Sequence, residues 1–151
     1  MKEYIRGLLK SLRDPSKSRL IVREYLQARI LDALQESGAF VSWAFIGGTA
    51  LRFLHNMPRF SEDLDFSLVS GDEKDNFLFH IDTLKKTLEA ENYTIDSKID
   101  DNLPVKYAFI KFNGLLNELG LSAHEREKLS IKVDIDTNPP EGAGFQTSII
   151  R

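Results

Sequence analysis

The sequence predicts an α/β (α+β) fold: a mixed β-sheet flanked by helices, with an N-terminal helical pair. Three observations predict it. Apolar residues recur at helical spacing through residues 1–12 and 17–36. Later stretches alternate apolar and polar residues, the period of a half-buried strand. No repeat, low-complexity segment or linker divides the chain, so residues 1–151 are expected to form one domain, with 1–38 its helical N-terminal part and 39–151 its core.

In the first helix Ile5, Leu8, Leu9 and Leu12 share a face. Asp14-Pro15-Ser16 breaks it, with Ser16 as the expected N-cap of a second helix over 17–36. That helix carries a stripe of Leu20, Ile21, Tyr25, Ala28, Leu31 and Leu34, with Ile30 alongside, and Gly38 is placed to terminate it. Residues 40–46 are expected as a strand. A short helix follows Gly47-Gly48, with Leu51, Leu54 and His55 on one face, and ends by Pro58. Asp63 to Phe66 alternates as a strand. Ser70-Gly71-Asp72 marks a turn, and residues 73–92 form a helix with Phe77, Ile81, Leu84 and Leu88 on one side. Residues 93–99 and 105–112 are expected to pair as a hairpin around the Asp100-Asp101-Asn102 turn. Residues 114–121 form a short helix or ordered loop, and 122–128 are polar and exposed. Residues 129–136 alternate once more, setting Leu129, Ile131, Val133 and Ile135 against Ser130, Lys132, Asp134 and Asp136. Thr137-Asn138-Pro139-Pro140 ends that strand, and a loop over 141–144 and a final strand over 145–150 complete the pattern.

Composition narrows the function classes. Hydrophobic residues make up 42% of the 151, enough for a core, and the 28% that are charged carry both signs. The absence of cysteine excludes disulfides, thiol nucleophiles and zinc–thiolate sites. No apolar run is long enough to span a membrane, and the N-terminus lacks the apolar core of a signal peptide, so a cytoplasmic protein is expected. A net charge of −3 argues against a globally basic nucleic-acid binder, although a local basic face suffices to hold RNA. Arg13, Lys17, Arg19, Arg23 and Arg29 make the region around the second helix the most basic part of the chain, with solvated helix faces the plainer explanation.

The chemistry concentrates between Ile46 and Phe66. On a strand Asp63 and Asp65 point the same way, while Leu64 and Phe66 point into a core. Adjacent carboxylates repel and resist burial unless compensated, and a hard divalent cation is the usual remedy. A bare Asp-x-Asp is equally an ordinary solvated strand edge. The glycines shift that balance. Strand, Gly47-Gly48, then helix is an anion-binding arrangement, because free N–H groups and the positive helix end face the ligand and no side chain blocks it. Thr49 offers a further hydroxyl donor. Arg59 suits a triphosphate clamp or a pair with Asp63, and Ser61 a phosphate contact or a turn bond. The lysine and longer glycine spacing of a P-loop are absent, as is a third Rossmann glycine.

Gly-Gly, a short helix and Asp-x-Asp on the next strand resemble the nucleotidyltransferase superfamily typified by DNA polymerase β. More narrowly, Gly47-Gly48-Thr49-Ala50-Leu51, then Arg59-Phe60-Ser61-Glu62-Asp63-Leu64-Asp65-Phe66, then Lys132-Val133-Asp134 resemble the AbiEii/AbiGii family of toxins from abortive-infection and toxin–antitoxin systems. The resemblance spans roughly Ala44 to Asp136. It implies a nucleotidyltransferase fold and the transfer of a nucleoside monophosphate from an NTP to an acceptor hydroxyl. It implies Mg2+ or Mn2+ on Asp63, Asp65 and Asp134, with Lys132 as charge partner or phosphate contact. Gly47, Gly48, Thr49, Arg59 and Ser61 would hold the nucleotide. It further implies an RNA acceptor such as a tRNA 3′ end, and a cognate antitoxin. Alternation alone leaves Asp134 and Asp136 equivalent as the third carboxylate. The family carries further C-terminal motifs that this chain lacks, so the chain is expected to correspond to the N-terminal catalytic part. A non-catalytic NTP-binding or interaction module of the same fold is the alternative.

Overall fold

The computed structural model describes residues 2–69, 74–139 and 144. Five helices and five strands follow in the order α1 (Lys2–Lys10), α2 (Pro15–Glu36), β1 (Trp43–Ile46), α3 (Gly47–His55), β2 (Leu64–Leu68), α4 (Phe77–Ala90), β3 (Ile95–Asp100), β4 (Val105–Asn113), α5 (Leu115–Glu118) and β5 (Lys128–Asp136). The expected turn at 70–72 and the expected final strand at 145–150 lie outside the described residues.

The sheet is mixed, in the order β1-β2-β5-β4-β3. β1 pairs antiparallel with β2, and β4 runs antiparallel to both β3 and β5. β2 and β5 are parallel, which sets Leu64 beside Val133 and Asp65 beside Asp134. The expected hairpin is present as β3–β4. One sheet face is apolar: Leu64, Phe66, Ala108, Ile110, Phe112, Leu129, Ile131, Val133 and Ile135 are buried there with the inner faces of α2 and α4. Phe77, Ile81, Leu84 and Leu88 of α4 are all buried, as their spacing predicts. Trp43 stacks on Phe77 and tilts against Phe66, tying β1 and β2 to α4.

Several local expectations are corrected. Asp14, not Ser16, caps α2: its carboxylate accepts from the Ser16 N–H at 3.0 Å and Pro15 opens the helix. The buried side of α2 is Ser18, Val22, Leu26, Gln27, Ile30, Leu31, Ala33 and Leu34, while Leu20 is exposed. This helix is apolar around most of its circumference, so periodicity does not select the inner face. Residues 39–41 form a 3-10 turn, leaving only Trp43–Ile46 as strand. Gly38 terminates α2 as expected, at φ 88. In α3 the inward residues are Thr49 and Ala50, with Phe53 packed against the core, whereas Leu51 is 50% and Leu54 38% exposed. The basic side chains of α2 serve mainly as stitches. Arg29 pairs with Glu91 and Asp32, and Arg19 with Glu127.

Tyr93 packs edge-on against Phe112, but its buried hydroxyl has no hydrogen-bond partner among the described residues. Burial pushes that hydroxyl up to about 12 from an ordinary 10.0. The folded state therefore holds the proton more tightly, and the associated stability is lost as pH rises from 10 through about 12. Tyr93→Phe is expected to leave stability at neutral pH unchanged or raised by about 1 kcal/mol, and to flatten that alkaline decline. Urea midpoints between neutral and strongly alkaline pH check both.

Candidate active site

The site forms where β1, α3, β2 and β5 meet. β1 ends at Ile46 beside Asp65, and α3 begins at once with Gly47. No side chain caps this helix, so its first-turn N–H groups remain open to a ligand. Gly47 has φ +81, and a Cβ there would lie 2.5 Å from Asp65 Oδ2. Only glycine lets the Asp65 carboxylate lie against the positive end of the helix. A Cβ on Gly48 would lie 3.2 Å from Ser61 Oγ, so the second glycine faces the segment that leads into β2.

Asp65 and Asp134 are register partners on adjacent parallel strands and point to the polar face of the sheet. Asp134 is pushed up to about 7 by its burial, then by its hydrogen bond to and repulsion from Asp65, with Lys132 opposing. Asp63 immediately precedes β2 rather than lying within it. It is also raised, by burial and then by the charge of Asp65, with Lys132 and Arg23 opposing. Lys132 Nζ is 3.9 Å from Asp134 Oδ2 and lies over the Tyr107 ring at 5.3 Å. Asp136, equivalent to Asp134 by alternation, is register partner to Ser67 and accepts from the Asn138 N–H.

The loop before Asp63 is held by two side chains of other roles than sequence reasoning suggests. Thr49, expected at the nucleotide, is 1% exposed and its hydroxyl donates to the Asp63 carbonyl. Gln27, buried in α2, donates through Nε2 to the Ser61 carbonyl at 2.8 Å and the Glu62 carbonyl at 2.9 Å. Three consecutive carbonyls are thus satisfied from beneath the loop, which restrains the backbone bearing Asp63. Sequence reasoning passed over Gln27. Its signal was a lone amide on the helix between Leu26 and Ile30. Arg23 was counted as surface charge, yet it donates to the Ser130 carbonyl at 2.6 Å and reaches Asp63 electrostatically. Arg59 is exposed and makes no hydrogen bond or ion pair with another described residue. His55 is exposed at the end of α3.

All the convergent donors are carboxylate oxygens, the set that suits a hard divalent ion. Asp65 and Asp134 fit such a group, because their register pairing sets two carboxylates side by side whose repulsion a cation would relieve. Among the described residues no three His, Cys, Asp or Glu side chains stand ready-made around an ion position.

Residues 29–150 match the protein-family model of the nucleotidyl transferase AbiEii toxin, type IV TA system. No curated protein matches the chain. Two crystal structures from Helicobacter pylori share the fold. A candidate nucleotidyltransferase aligns with a TM-score of 0.51 and 22% identity, over 76% of this chain and 46% of that one. JHP933 aligns with a TM-score of 0.55 and 22% identity, over 87% of this chain and 49% of that one. The chain thus spans about half the length of the solved structures it matches. No helix of the described residues is long and apolar enough to cross a membrane.

Gln27→Leu keeps the side-chain volume but leaves two carbonyls without a donor, and is expected to cost about 1–3 kcal/mol in denaturant unfolding. The Asp134 carboxyl holds its proton more tightly folded than at the ordinary 3.8, so its stabilising contribution is lost as pH rises from about 4 through about 7. In chelator, the melting temperature of Asp134→Asn should rise above that of the parent chain over that interval, with the gap constant at higher pH.

Proposed function

The chain belongs to the AbiEii nucleotidyl transferase toxin family, and from that premise we propose that it transfers a nucleoside monophosphate from an NTP to an acceptor hydroxyl. The observation that carries this reading is the Asp65–Asp134 register pair lying against the glycine-opened N-terminus of α3. Carboxylates bind metal and the helix end binds phosphate, and nucleotidyl transfer needs both within one site.

Asp63, Asp65 and Asp134 would hold Mg2+ or Mn2+, which when bound neutralises phosphate charge and lowers the pKa of a hydroxyl. The amides of Gly47 and Gly48 receive phosphate oxygens, with the Ser61 hydroxyl beside Gly48. Arg59, without a partner among the described residues, supplies positive charge from the adjoining loop, and Lys132 does so from β5. These groups orient the α-phosphorus toward the acceptor. The acceptor oxygen bonds to that phosphorus as its bond to the pyrophosphate oxygen breaks. Thr49 and Gln27 keep Asp63 in place during the exchange. The family supports a toxin role with a cognate antitoxin, and on this reading growth arrest would follow from modification of an RNA such as a tRNA 3′ end.

Calorimetric titration of each NTP with Mg2+, beside incorporation of labelled nucleotide into tRNA, tests the proposal. Asp65→Asn should lose Mg2+-dependent NTP binding and transfer at least a hundredfold while keeping its fold, since the group acts on charge that develops in the transition state. Transfer retained in that variant would overturn the carboxylate assignment. NTP binding without transfer, in parent and variant alike, would favour a non-catalytic nucleotide-binding module.

A further inference from the structure

The polar face of the sheet does not end at the carboxylates. It continues from β5 across β4 to β3. Tyr107 lies opposite Asp134, and Phe109 lies opposite Lys132 on one side and Lys98 on the other. Directly opposed residues share a face, so Phe109 is flanked by two lysines, and Lys111 follows two positions along β4. The intervening residues Ala108, Ile110 and Phe112 are buried on the helix side, whereas Tyr107, Phe109, Lys111 and Lys132 are partly exposed and Lys98 is exposed. The Tyr107 and Phe109 rings meet edge to face with centroids 5.7 Å apart.

Charge on this face is unevenly satisfied. Asp96 pairs with Lys128 at 3.4 Å, Asp100 accepts from both the backbone and the side chain of Asn102, and Asp136 accepts from the Asn138 N–H. Lys98 and Lys111 make no hydrogen bond or ion pair with any described residue. The acids are locally engaged and the lysines beside the aromatic rings are free. An aromatic pair bordered by free cations on an open sheet suits stacked bases with phosphates alongside, and suits an apolar protein segment poorly.

We propose that Tyr107, Phe109, Lys98 and Lys111 form a platform for a single-stranded nucleic acid, the acceptor strand, whose end reaches Asp65 and Asp134. The proposal rests on the transfer reading above and adds the acceptor's path to it. Tyr107 adjoins Asp134 across the strand pair, and Phe109 is about 7 Å further along β4. A base on Tyr107 therefore neighbours the reacting position, and the next falls on Phe109 between the lysines. Lys132, over the Tyr107 ring, borders both the platform and the carboxylates.

Anisotropy of a fluorescein-labelled RNA of about ten nucleotides, titrated with the 151-residue chain at several salt concentrations, tests this. The parent chain should bind at low salt. Phe109→Ala should weaken binding roughly tenfold or more, and Phe109→Trp should restore it. Lys98→Ala with Lys111→Ala should reduce the log–log salt slope by about 1.4. Asp65→Asn should still bind RNA, so transfer lost with RNA binding intact bears on the reaction and not on the platform. Absence of RNA binding by the parent chain, or equal binding by the Phe109 and lysine variants, would overturn the platform. So would loss of NTP affinity in Phe109→Ala with unchanged RNA binding, because the rings would then hold the base of the nucleotide.

Discussion

Two like charges held side by side organise this protein. Asp65 and Asp134 are fixed opposite each other by the parallel pairing of β2 and β5, and that pairing is itself held by the apolar residues on the other sheet face. Leu64, Phe66, Val133 and Ile135 are each fully buried. The carboxylates cannot separate without breaking the core that their neighbours form. The rise of Asp134 to about 7, from burial and from Asp65 beside it, marks the repulsion that a cation would relieve. Stability and site are thus opposed in the same strands: hydrophobic burial enforces a contact that electrostatics resists.

The remaining parts of the site are arranged around that contact. The missing Cβ of Gly47 gives Asp65 room against the helix end. Beneath the loop, Thr49 and Gln27 tie down three successive carbonyls. Both are buried polar residues whose hydrogen-bonding capacity is used where an unpaired group would be costly. Lys132, paired with Asp134 at 3.9 Å, and Arg23, bonded to the Ser130 carbonyl, flank the acids with positive charge, which moderates the repulsion. The sheet thereby divides its work. Its apolar face joins the helices, while its polar face carries acids at β2 and β5 and aromatic and basic side chains at β4 and β3.

Much of this architecture was legible in the amino-acid order. Alternation located β3, β4 and β5, spacing located the buried side of α4, and Gly38 ended α2. The glycine pair and the Asp-x-Asp run, which sequence reasoning grouped, do adjoin in the fold, with Gly47 against Asp65. Less legible were features that depend on what lies opposite. The inner face of α2 was misjudged because apolar residues surround most of that helix. Leu51 and Leu54 were expected inward, yet α3 meets the sheet through Thr49, Ala50 and Phe53. Such a short helix has too few turns for its apolar residues to define one face.

The sequence by itself determined the local chemistry: which residues bear carboxylates, where the backbone can turn without a side chain, and which stretches alternate. Local periods of two and 3.6 residues are written into the order of side chains and need no partner to be recognised. Only the tertiary structure set Asp134 and Asp136, which share a strand face, beside different partners on the neighbouring strand: Asp65 for one, Ser67 for the other. It likewise turned Thr49 from the nucleotide side to the Asp63 carbonyl, and brought Gln27, distant in sequence, under the same loop. Register and burial are products of packing between remote segments, and no local pattern specifies them.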